Sequence, residues 1–221
     1  MFLLIDKPKG ITSHDVIDKV RKVTGEKKVG HAGTLDPNAT GLLIVGVERK
    51  ATKKLGEIAK NTKKTYEAEI FLGEERDTDD AEGVVISKAK GFLPPGENEI
   101  EKILISFEGE QTQIPPIYSA LKIKGKKAYE LARKGKKVNL KPRKVVIYSI
   151  KLVSYKFPIL EIETTVSSGT YIRALARDIG KKLSCGAYLR NLRRTKIGKF
   201  DIKDAVKLEN LDRGNWKNFV I

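Results

Sequence analysis

Cysteine and histidine are scarce in this chain, which has one cysteine, Cys185, and two histidines, His14 and His31. A lone cysteine excludes an internal disulfide, and this favours a reducing compartment. The zinc pattern of nucleobase deaminases, a histidine followed by a Cys-x-x-Cys pair, cannot be built from these residues. Cys185 stands beside Gly186, which favours a small buried side chain over a nucleophile. The composition therefore leaves little room for zinc or thiol chemistry.

Long apolar runs are also missing. No stretch approaches the roughly 20 residues of a membrane-spanning helix. The opening residues, MFLLID, are apolar but too short for a signal peptide, and they lack a basic leader. We therefore expect a cytoplasmic protein without a membrane partner.

Nucleotide and metal motifs are absent as well. The chain has neither a GxxxxGKS/T loop nor a GxGxxG fingerprint. Residues 77–80 (DTDD) imitate the start of a calcium loop, but Ala81 stands at its fifth position. In addition, Gly83 falls one place late, and Lys88 occupies the place of the bidentate glutamate. This stretch is predicted to be a plain turn, and we expect no metal and no cofactor.

Positive charge is what the chain has in excess. Lys and Arg number 44 against 28 Asp and Glu, a net charge of +16. The charges are segregated: residues 118–156 hold 13 basic residues and one acidic residue, whereas residues 67–110 hold 13 acidic and four basic ones. A uniformly solvated or thermophilic surface would not require such segregation. The pattern favours a basic face that binds a polyanion such as nucleic acid.

The periodicity of apolar residues predicts a mixed α+β fold, because strands and helices interleave without a repeated βαβ rhythm. The first helix is predicted to have Ser13 as its N-cap and Gly25 just after its end. Residues 30–37 are predicted to be loop. Predicted helices cover residues 14–23, 97–107, 126–134 and 170–183, and predicted strands cover residues 41–47, 65–72, 145–154 and 159–166.

One loop carries a candidate catalytic carboxylate. In residues 30–37 (GHAGTLDP), glycines permit tight turns and close approach of the backbone to a ligand. Asp36 precedes Pro37, which disfavours helical backbone and holds the carboxylate in an extended turn. An isolated Asp-Pro is more often an ordinary turn or cap, but the density of glycine and threonine here favours a functional role.

Two further segments are not explained as scaffold. Residues 167–173 (SSGTYIR) lead into a helix on which Arg173 and Arg177 share one face. An arginine there could hold a carboxylate ionised and oriented, or it could bind phosphate or lie on a solvated face. Residues 189–195 (LRNLRRT) form a basic, strand-like stretch that includes Arg193 and Arg194 and suits backbone phosphates.

These motifs resemble those of one family, the bacterial tRNA pseudouridine-55 synthases of the TruB type. The opening KPKGITS at residues 7–13 is similar to the family's first motif, and GHAGTLDPNATG at 30–41 to its catalytic loop. SSGTYIRALARDIG at 167–180 and LRRT at 192–195 continue the match in collinear order over nearly the whole chain.

The resemblance implies roles for individual residues. Asp36 would be the catalytic carboxylate, Arg173 the arginine that pairs with it, and Tyr66 the tyrosine that stacks on the target base. The implied substrate-contacting positions are Lys7, His31, Gly33, Thr34, Leu35, Tyr171, Leu192, Arg193 and Arg194. The implied fold is a mixed, largely antiparallel sheet with flanking helices around an RNA-binding cleft.

The implied reaction transfers a uracil from its nitrogen 1 to its carbon 5 on the same ribose, after the uridine has been flipped out of the T loop. The residues leave three routes open for Asp36: attack on the sugar, attack on the ring, or abstraction of a sugar proton. None of the three needs a cofactor. The implied partner is the T arm of tRNA, and we expect a monomer with no obligatory protein partner.

The resemblance also bears on domains and alternatives. We expect one catalytic domain over residues 1–221, with an insertion-like basic region at about 118–144 and without the C-terminal PUA domain usual in the family. The alternatives are a guide-RNA-dependent synthase subunit, a non-catalytic tRNA-binding or folding factor, and a metal-dependent nuclease built on Asp77, Asp79 and Asp80.

Overall fold

The computed structural model describes residues 1–91, 93–119, 121–123, 125–133 and 138–221. The described chain forms two compact units. The first comprises Met1–Glu67 and Leu192–Ile221, and the second comprises Ala68–Asn191. The expected single domain over residues 1–221, the insertion-like region and the missing PUA domain stay predictions.

Strands are numbered here in chain order. They are β1 (Phe2–Lys7), β2 (Val29–Ala32), β3 (Thr40–Val47), β4 (Lys64–Leu72), β5 (Glu74–Arg76), β6 (Val85–Lys88), β7 (Gly109–Gln113), β8 (Lys122–Ile123), β9 (Lys126–Lys127), β10 (Arg143–Lys156), β11 (Ile159–Val166), β12 (Ala187–Ile197), β13 (Phe200–Asp201) and β14 (Val206–Lys207). Strands β4 and β12 cross the division and contribute residues to both units.

Helices are numbered in the same way. They are α1 (Ser13–Thr24), α2 (Glu48–Thr52), α3 (Leu55–Asn61), α4 (Glu97–Ile105), α5 (Ala128–Arg133) and α6 (Ile172–Lys182), and short 3-10 turns lie at Ile202–Asp204, Leu208–Asn210 and Trp216–Phe219.

In the first unit the strand order is β14-β1-β3-β12-β4, with β2 also on β3 and β13 on β12. Strand β1 runs antiparallel to β3, as β2 does, whereas β14 is parallel to β1 and β12 is parallel to β3. In the second unit the order is β4-β11-β10-β7, and the pairs β10–β11 and β10–β7 are antiparallel. The prediction of a mixed, largely antiparallel α+β fold with flanking helices is confirmed, and its RNA-binding cleft stays an expectation.

Helix α1 covers one face of the first unit's sheet. Its apolar residues Val16, Ile17 and Val20 are buried against β1 and β3 in one core cluster. The predicted N-cap, Ser13, is wrong: Thr12 caps the helix, accepting from the Asp15 amide at 3.1 Å while Asp15 accepts from the Thr12 amide at 2.7 Å. Thr12 and Asp15 together form the capping box of this helix. The Ser13 hydroxyl is therefore not needed for capping and can bond to another partner.

The opposite face is built around two glycines. Residues 30–37 were predicted to be loop throughout, but β2 extends to Ala32 because β3 supplies backbone partners, among them Gly46 opposite Gly30. A Cβ at Gly30 or at Gly46 would lie 3.1 Å from a methyl carbon of Leu55. The two glycines therefore make room for α3 on this face, and the loop begins only at Gly33.

Other boundaries differ modestly. Strand β11 matches the predicted strand, β10 is longer than expected, and α6 starts two residues later. Helices α2 and α3 were not predicted, because only Ala51 and Leu55 of their residues are buried and give no apolar period. The basic helix predicted over residues 126–134 is confirmed only in part: α5 spans Ala128–Arg133, whereas Lys126–Lys127 form β9 and Lys134 lies outside the described residues.

Candidate active site

Asp36 lies on an exposed turn whose backbone is fixed immediately before it. Leu35 is buried, and both of its backbone polar groups contact the Ser13 side chain: the hydroxyl donates to the Leu35 carbonyl and accepts from its amide, each at 2.9 Å. Ser13 belongs to the first turn of α1, a helix anchored in the core. The residue before Asp36 is therefore tied to a helix that is packed into the core of the first unit.

The residue after Asp36 is fixed just as firmly. The fully buried Lys7 ammonium donates to the carbonyls of Pro37, Pro8 and Ile11, at 3.1, 2.9 and 2.7 Å. The Gly10 amide also donates to the Pro37 carbonyl, at 2.9 Å. Held from both sides, the backbone of the turn has little freedom to move around Asp36, which favours a preorganised catalytic group.

Lys7 is also electrostatically coupled to Asp36. Burial lowers the pKa of Lys7 to about 8, while the charges of Asp36 and Asp15 oppose that shift. At neutral pH the ammonium is still charged. It therefore places a positive charge close to the proposed catalytic carboxylate as well as holding the turn.

Arg194 supports the same loop from β12. Its side chain is 1% exposed, and its guanidinium donates to the carbonyls of Leu42 and Gly33, at 2.8 and 3.0 Å. Gly41 opposite it has φ +101°, and a Cβ there would lie 2.3 Å from the Arg194 carbonyl oxygen. In the structure Arg194 therefore holds the backbone of the loop that carries Asp36. Its contact with RNA phosphate stays a prediction.

Arg193 points elsewhere. Its guanidinium pairs with both carboxylate oxygens of Asp6, at 3.1 and 2.7 Å, and this raises the pKa of Arg193. The side chain remains 38% exposed. Together with Lys7 and Lys207 it lines a cavity of about 570 Å³. Such a partly open arginine suits a phosphate contact better than Arg194 does, and this role too stays a prediction.

The remaining predicted positions of the first unit lie on neighbouring strands. His31 is in β2, and burial, followed by the charges of Arg194 and His14, lowers its pKa, so the imidazole is neutral at pH 7. Tyr66 is a buried residue of β4. The half-buried Leu192 accepts a hydrogen bond at its carbonyl from the Thr40 hydroxyl, at 3.3 Å, while Thr34 is exposed.

Arg173 and Tyr171 belong to the second unit. Arg173 is buried at the start of α6 and donates to Asp80 Oδ2 and to the carbonyls of Thr78 and Tyr118, at 3.1, 3.2 and 2.9 Å. One turn later Arg177 pairs with Asp79 at 2.8 Å. These contacts define the geometry of Arg173 within its unit, and its pairing with Asp36 stays a prediction.

The sequence interpretation missed the acidic partners of these arginines. Residues 77–80 were assigned to a plain turn, yet Asp79 and Asp80 hold Arg177 and Arg173. Burial raises the pKa of Asp79, although the two arginines oppose that shift. A signal existed: two arginines four residues apart on a helix need acidic partners when that face is buried. Gln113, which contacts the Tyr171 backbone, gave no such signal.

Among the described residues, no group of three or more His, Cys, Asp or Glu side chains could hold a metal ion. The Asp77 carboxylate accepts from the Val84 amide at 2.9 Å, and Asp80 accepts from the Thr78 hydroxyl at 2.7 Å. Within the described part of the chain, no helix is long and apolar enough to cross a membrane.

Comparison with known proteins points in one direction. Residues 21–172 match the family model described as TruB family pseudouridylate synthase (N terminal domain). Residues 173–219 match the tRNA pseudouridylate synthase B C-terminal domain.

Curated relatives are similar over almost the whole chain. It is 46% identical over 219 residues to tRNA pseudouridine synthase B of Clostridium kluyveri, which covers 99% of this chain and 74% of that protein. It is 47% identical over 222 residues to the protein of the same name from Aquifex aeolicus, covering 99% and 76%. The protein of that name from Endomicrobium trichonymphae is 49% identical over 210 residues, covering 95% and 90%.

Solved structures give the same fold. A chain of a Cbf5-Nop10-Gar1 complex superposes with a TM-score of 0.73 at 31% identity, covering 95% of this chain and 53% of that one. A chain of an H/ACA RNP bound to a substrate RNA gives a TM-score of 0.72 at 29% identity, covering 98% and 54%. This chain therefore spans about half the length of these solved chains.

Proposed function

The chain belongs to the TruB family of pseudouridylate synthases, and we propose that it converts one uridine of tRNA, at position 55 in the T loop, to pseudouridine. Relatives at 46–49% identity carry the name of a tRNA enzyme, whereas the solved chains of the Cbf5-Nop10-Gar1 complex and of the H/ACA RNP, a particle of RNA and protein, are 29–31% identical. The guide-dependent alternative is for this reason not favoured. We further propose that the enzyme acts as a cytoplasmic monomer.

The observation that carries this proposal is the anchored turn of Asp36. Its neighbours Leu35 and Pro37 are held by Ser13 and Lys7, while the aspartate itself is exposed. An exposed carboxylate on a firmly held backbone suits an isomerisation at a glycosidic carbon, where positive character develops on the sugar.

The reaction balances without an external reagent. The bond from ribose carbon 1′ to uracil nitrogen 1 breaks, and a bond from the same carbon to uracil carbon 5 forms. The proton lost from carbon 5 is matched by one gained at nitrogen 1. The enzyme therefore has to supply binding, orientation and a carboxylate, all of which amino-acid side chains provide.

Other residues take roles around this step. The uridine must leave the stack of the T loop, which costs a few kcal/mol. Stacking on Tyr66 would return roughly 1–3 kcal/mol of that cost. Arg173 is proposed to keep the Asp36 carboxylate ionised and oriented. Basic residues with solvent-accessible side chains, among them the partly exposed Arg193, would bind backbone phosphates.

The test is release of tritium from carbon 5 of uracil in a T-arm RNA, with the protein alone and without guide RNA. Wild type should release tritium, Asp36→Ala should release none, and Asp18→Ala, which removes an exposed carboxylate of α1, should behave like wild type. No release by the wild type while RNA binding is retained would refute the tRNA-synthase proposal and favour a guide-dependent or binding-only protein.

A further inference from the structure

Gln113 makes an unusual pair of contacts with one backbone residue. It is the last residue of β7 and is 3% exposed. Its side-chain amide donates to the Tyr171 carbonyl at 3.1 Å, and its side-chain carbonyl accepts from the Tyr171 amide at 2.9 Å. The carboxamide therefore satisfies both backbone polar groups of Tyr171, as a neighbouring strand would.

The contact falls where α6 begins. Tyr171 is the N-cap residue of this helix, a position at which Ser, Thr, Asn and Asp are preferred because their side chains bind the first amides. Tyr171 makes no such side-chain cap bond. The backbone at the start of α6 is therefore held by a group from another element, and that group is Gln113.

The segment that follows Gln113 also makes hydrogen bonds with residues of α6. The Ile114 carbonyl accepts from Arg177 at 2.8 Å, and the Tyr118 carbonyl accepts from Arg173 at 2.9 Å. Residues 113–118 thus contact the N-cap and two later positions of one helix. Because Arg173 lies in the first turn of α6, any displacement of the helix start would also displace its guanidinium.

Position 113 also differs from the rest of its strand. The other residues of β7 are exposed or half-buried, and Gln113 alone is buried. Its strand neighbour in β10, Arg143, lies over the Tyr171 ring at 5.8 Å. An apolar side chain would fill this buried position equally well. A buried carboxamide without partners would destabilise the fold, so the two hydrogen bonds to Tyr171 explain why a glutamine is present.

We propose that Gln113 is a positioning residue of the synthase, which fixes Tyr171 and the start of α6 and thereby sets the position of Arg173. The inference rests on the proposed function, because Arg173 has its catalytic assignment from there. Gln113 need not touch RNA. Its loss should therefore impair the chemical step and leave affinity for RNA nearly unchanged.

The experiment measures the single-turnover rate and the Kd for T-arm RNA in three variants. Gln113→Leu removes both hydrogen bonds and should lower the rate by about 10- to 100-fold, the scale expected for misplaced catalytic groups. Its Kd should stay within about threefold of wild type. Gln113→Glu keeps the acceptor for the Tyr171 amide, which a helix N-terminus favours, and should restore part of the rate.

Gln111→Leu is the matched control, because Gln111 lies on the same strand and its side-chain amide donates to the Glu108 carbonyl at 3.5 Å, with no contact to α6 among the described residues. A Gln113→Leu variant that matches this control, or that loses rate and RNA affinity equally, would overturn the positioning role. Should Gln113→Leu not fold, Gln113→Glu decides: an unchanged rate overturns the role, and a rate at least about threefold lower at constant Kd supports it. Failure of the wild type to form pseudouridine would instead refute the proposed function.

Discussion

Ser13 and Leu35 exchange two hydrogen bonds, each 2.9 Å long, between one hydroxyl and both polar groups of one backbone residue. Both residues are buried, so water cannot replace the hydroxyl if it is removed. The contact joins the first turn of α1 to the turn that carries Asp36. It resembles the contact between Gln113 and Tyr171, in which a buried polar side chain fixes the backbone close to a charged residue.

Replacing Ser13 by Ala should therefore destabilise the fold by about 1–3 kcal/mol, the cost of leaving a buried amide and carbonyl unpaired. Urea unfolding measures this cost. Thr24→Ala is the control at the other end of α1, where a half-buried hydroxyl donates to the Val20 carbonyl at 2.8 Å. Equal losses of stability in the two variants would contradict the special role of the Ser13 contact.

Two glycine substitutions should have opposite signs. Gly41→Ala would place a Cβ 2.3 Å from the Arg194 carbonyl oxygen at φ +101°, and we expect a loss on the order of 2–4 kcal/mol. Gly56→Ala lies within α3 and meets open space, so it should stabilise the protein by about 0.5–1 kcal/mol. Thermal unfolding of both variants tests the pair, and a neutral Gly41→Ala would refute the close approach of β12 to β3.

Arg173→Lys should affect catalysis more than binding. Lysine carries a compact ammonium in place of the planar guanidinium fork, so it cannot reproduce the geometry of the contacts with Asp80, Thr78 and Tyr118. We expect a fall of about 100-fold in the single-turnover rate with a Kd for T-arm RNA within about threefold of wild type. Arg213→Lys, at an exposed arginine that donates to the Lys22 carbonyl at 3.3 Å, is the control. Equal losses of rate and affinity in Arg173→Lys would make it an RNA contact.

Stability should depend on pH through buried lysines. Burial lowers the pKa of Lys64 to about 8, below its ordinary value of 10.5. Between these values the unfolded chain binds a proton at this lysine that the folded chain has lost, so the free energy of unfolding should rise with pH. Unfolding at pH 7.5 and 9.5 should show a smaller rise in Lys64→Met than in wild type. Lys60→Met, at an exposed position, controls for the loss of one lysine, and an unchanged rise in Lys64→Met would contradict the shift.

RNA affinity should fall steeply as salt increases, because the net charge is +16 and each neutralised phosphate releases counterions. With three or more phosphate contacts, the slope of log K against log salt should be steeper than about −2. The single-turnover rate at saturating RNA is the control and should change far less. A flat salt dependence would exclude phosphate contacts as the main source of affinity.

The sequence alone determined the features that depend on neighbouring residues. The local pattern of apolar residues, a helical period in α1 and a continuous run in β3, predicted these elements nearly to the residue. The charge balance indicated a polyanionic partner, and the motif around Asp36 indicated both the family and the candidate carboxylate. These inferences needed no knowledge of which distant segments meet.

Only the tertiary structure decided what depends on distant segments. Strand β2 exists because β3 supplies its backbone partners, whereas the local sequence predicted loop from residue 30 onward. Arg193 and Arg194 are indistinguishable in sequence, yet alternate strand positions face opposite ways. Arg193 is therefore partly exposed and paired with Asp6, whereas Arg194 is buried and donates to the Leu42 carbonyl. Arg173 meets Asp80 across 93 residues, a pairing that no local pattern encodes. Such pairings depend on packing and charge burial between segments that are distant in sequence and meet only in the folded protein.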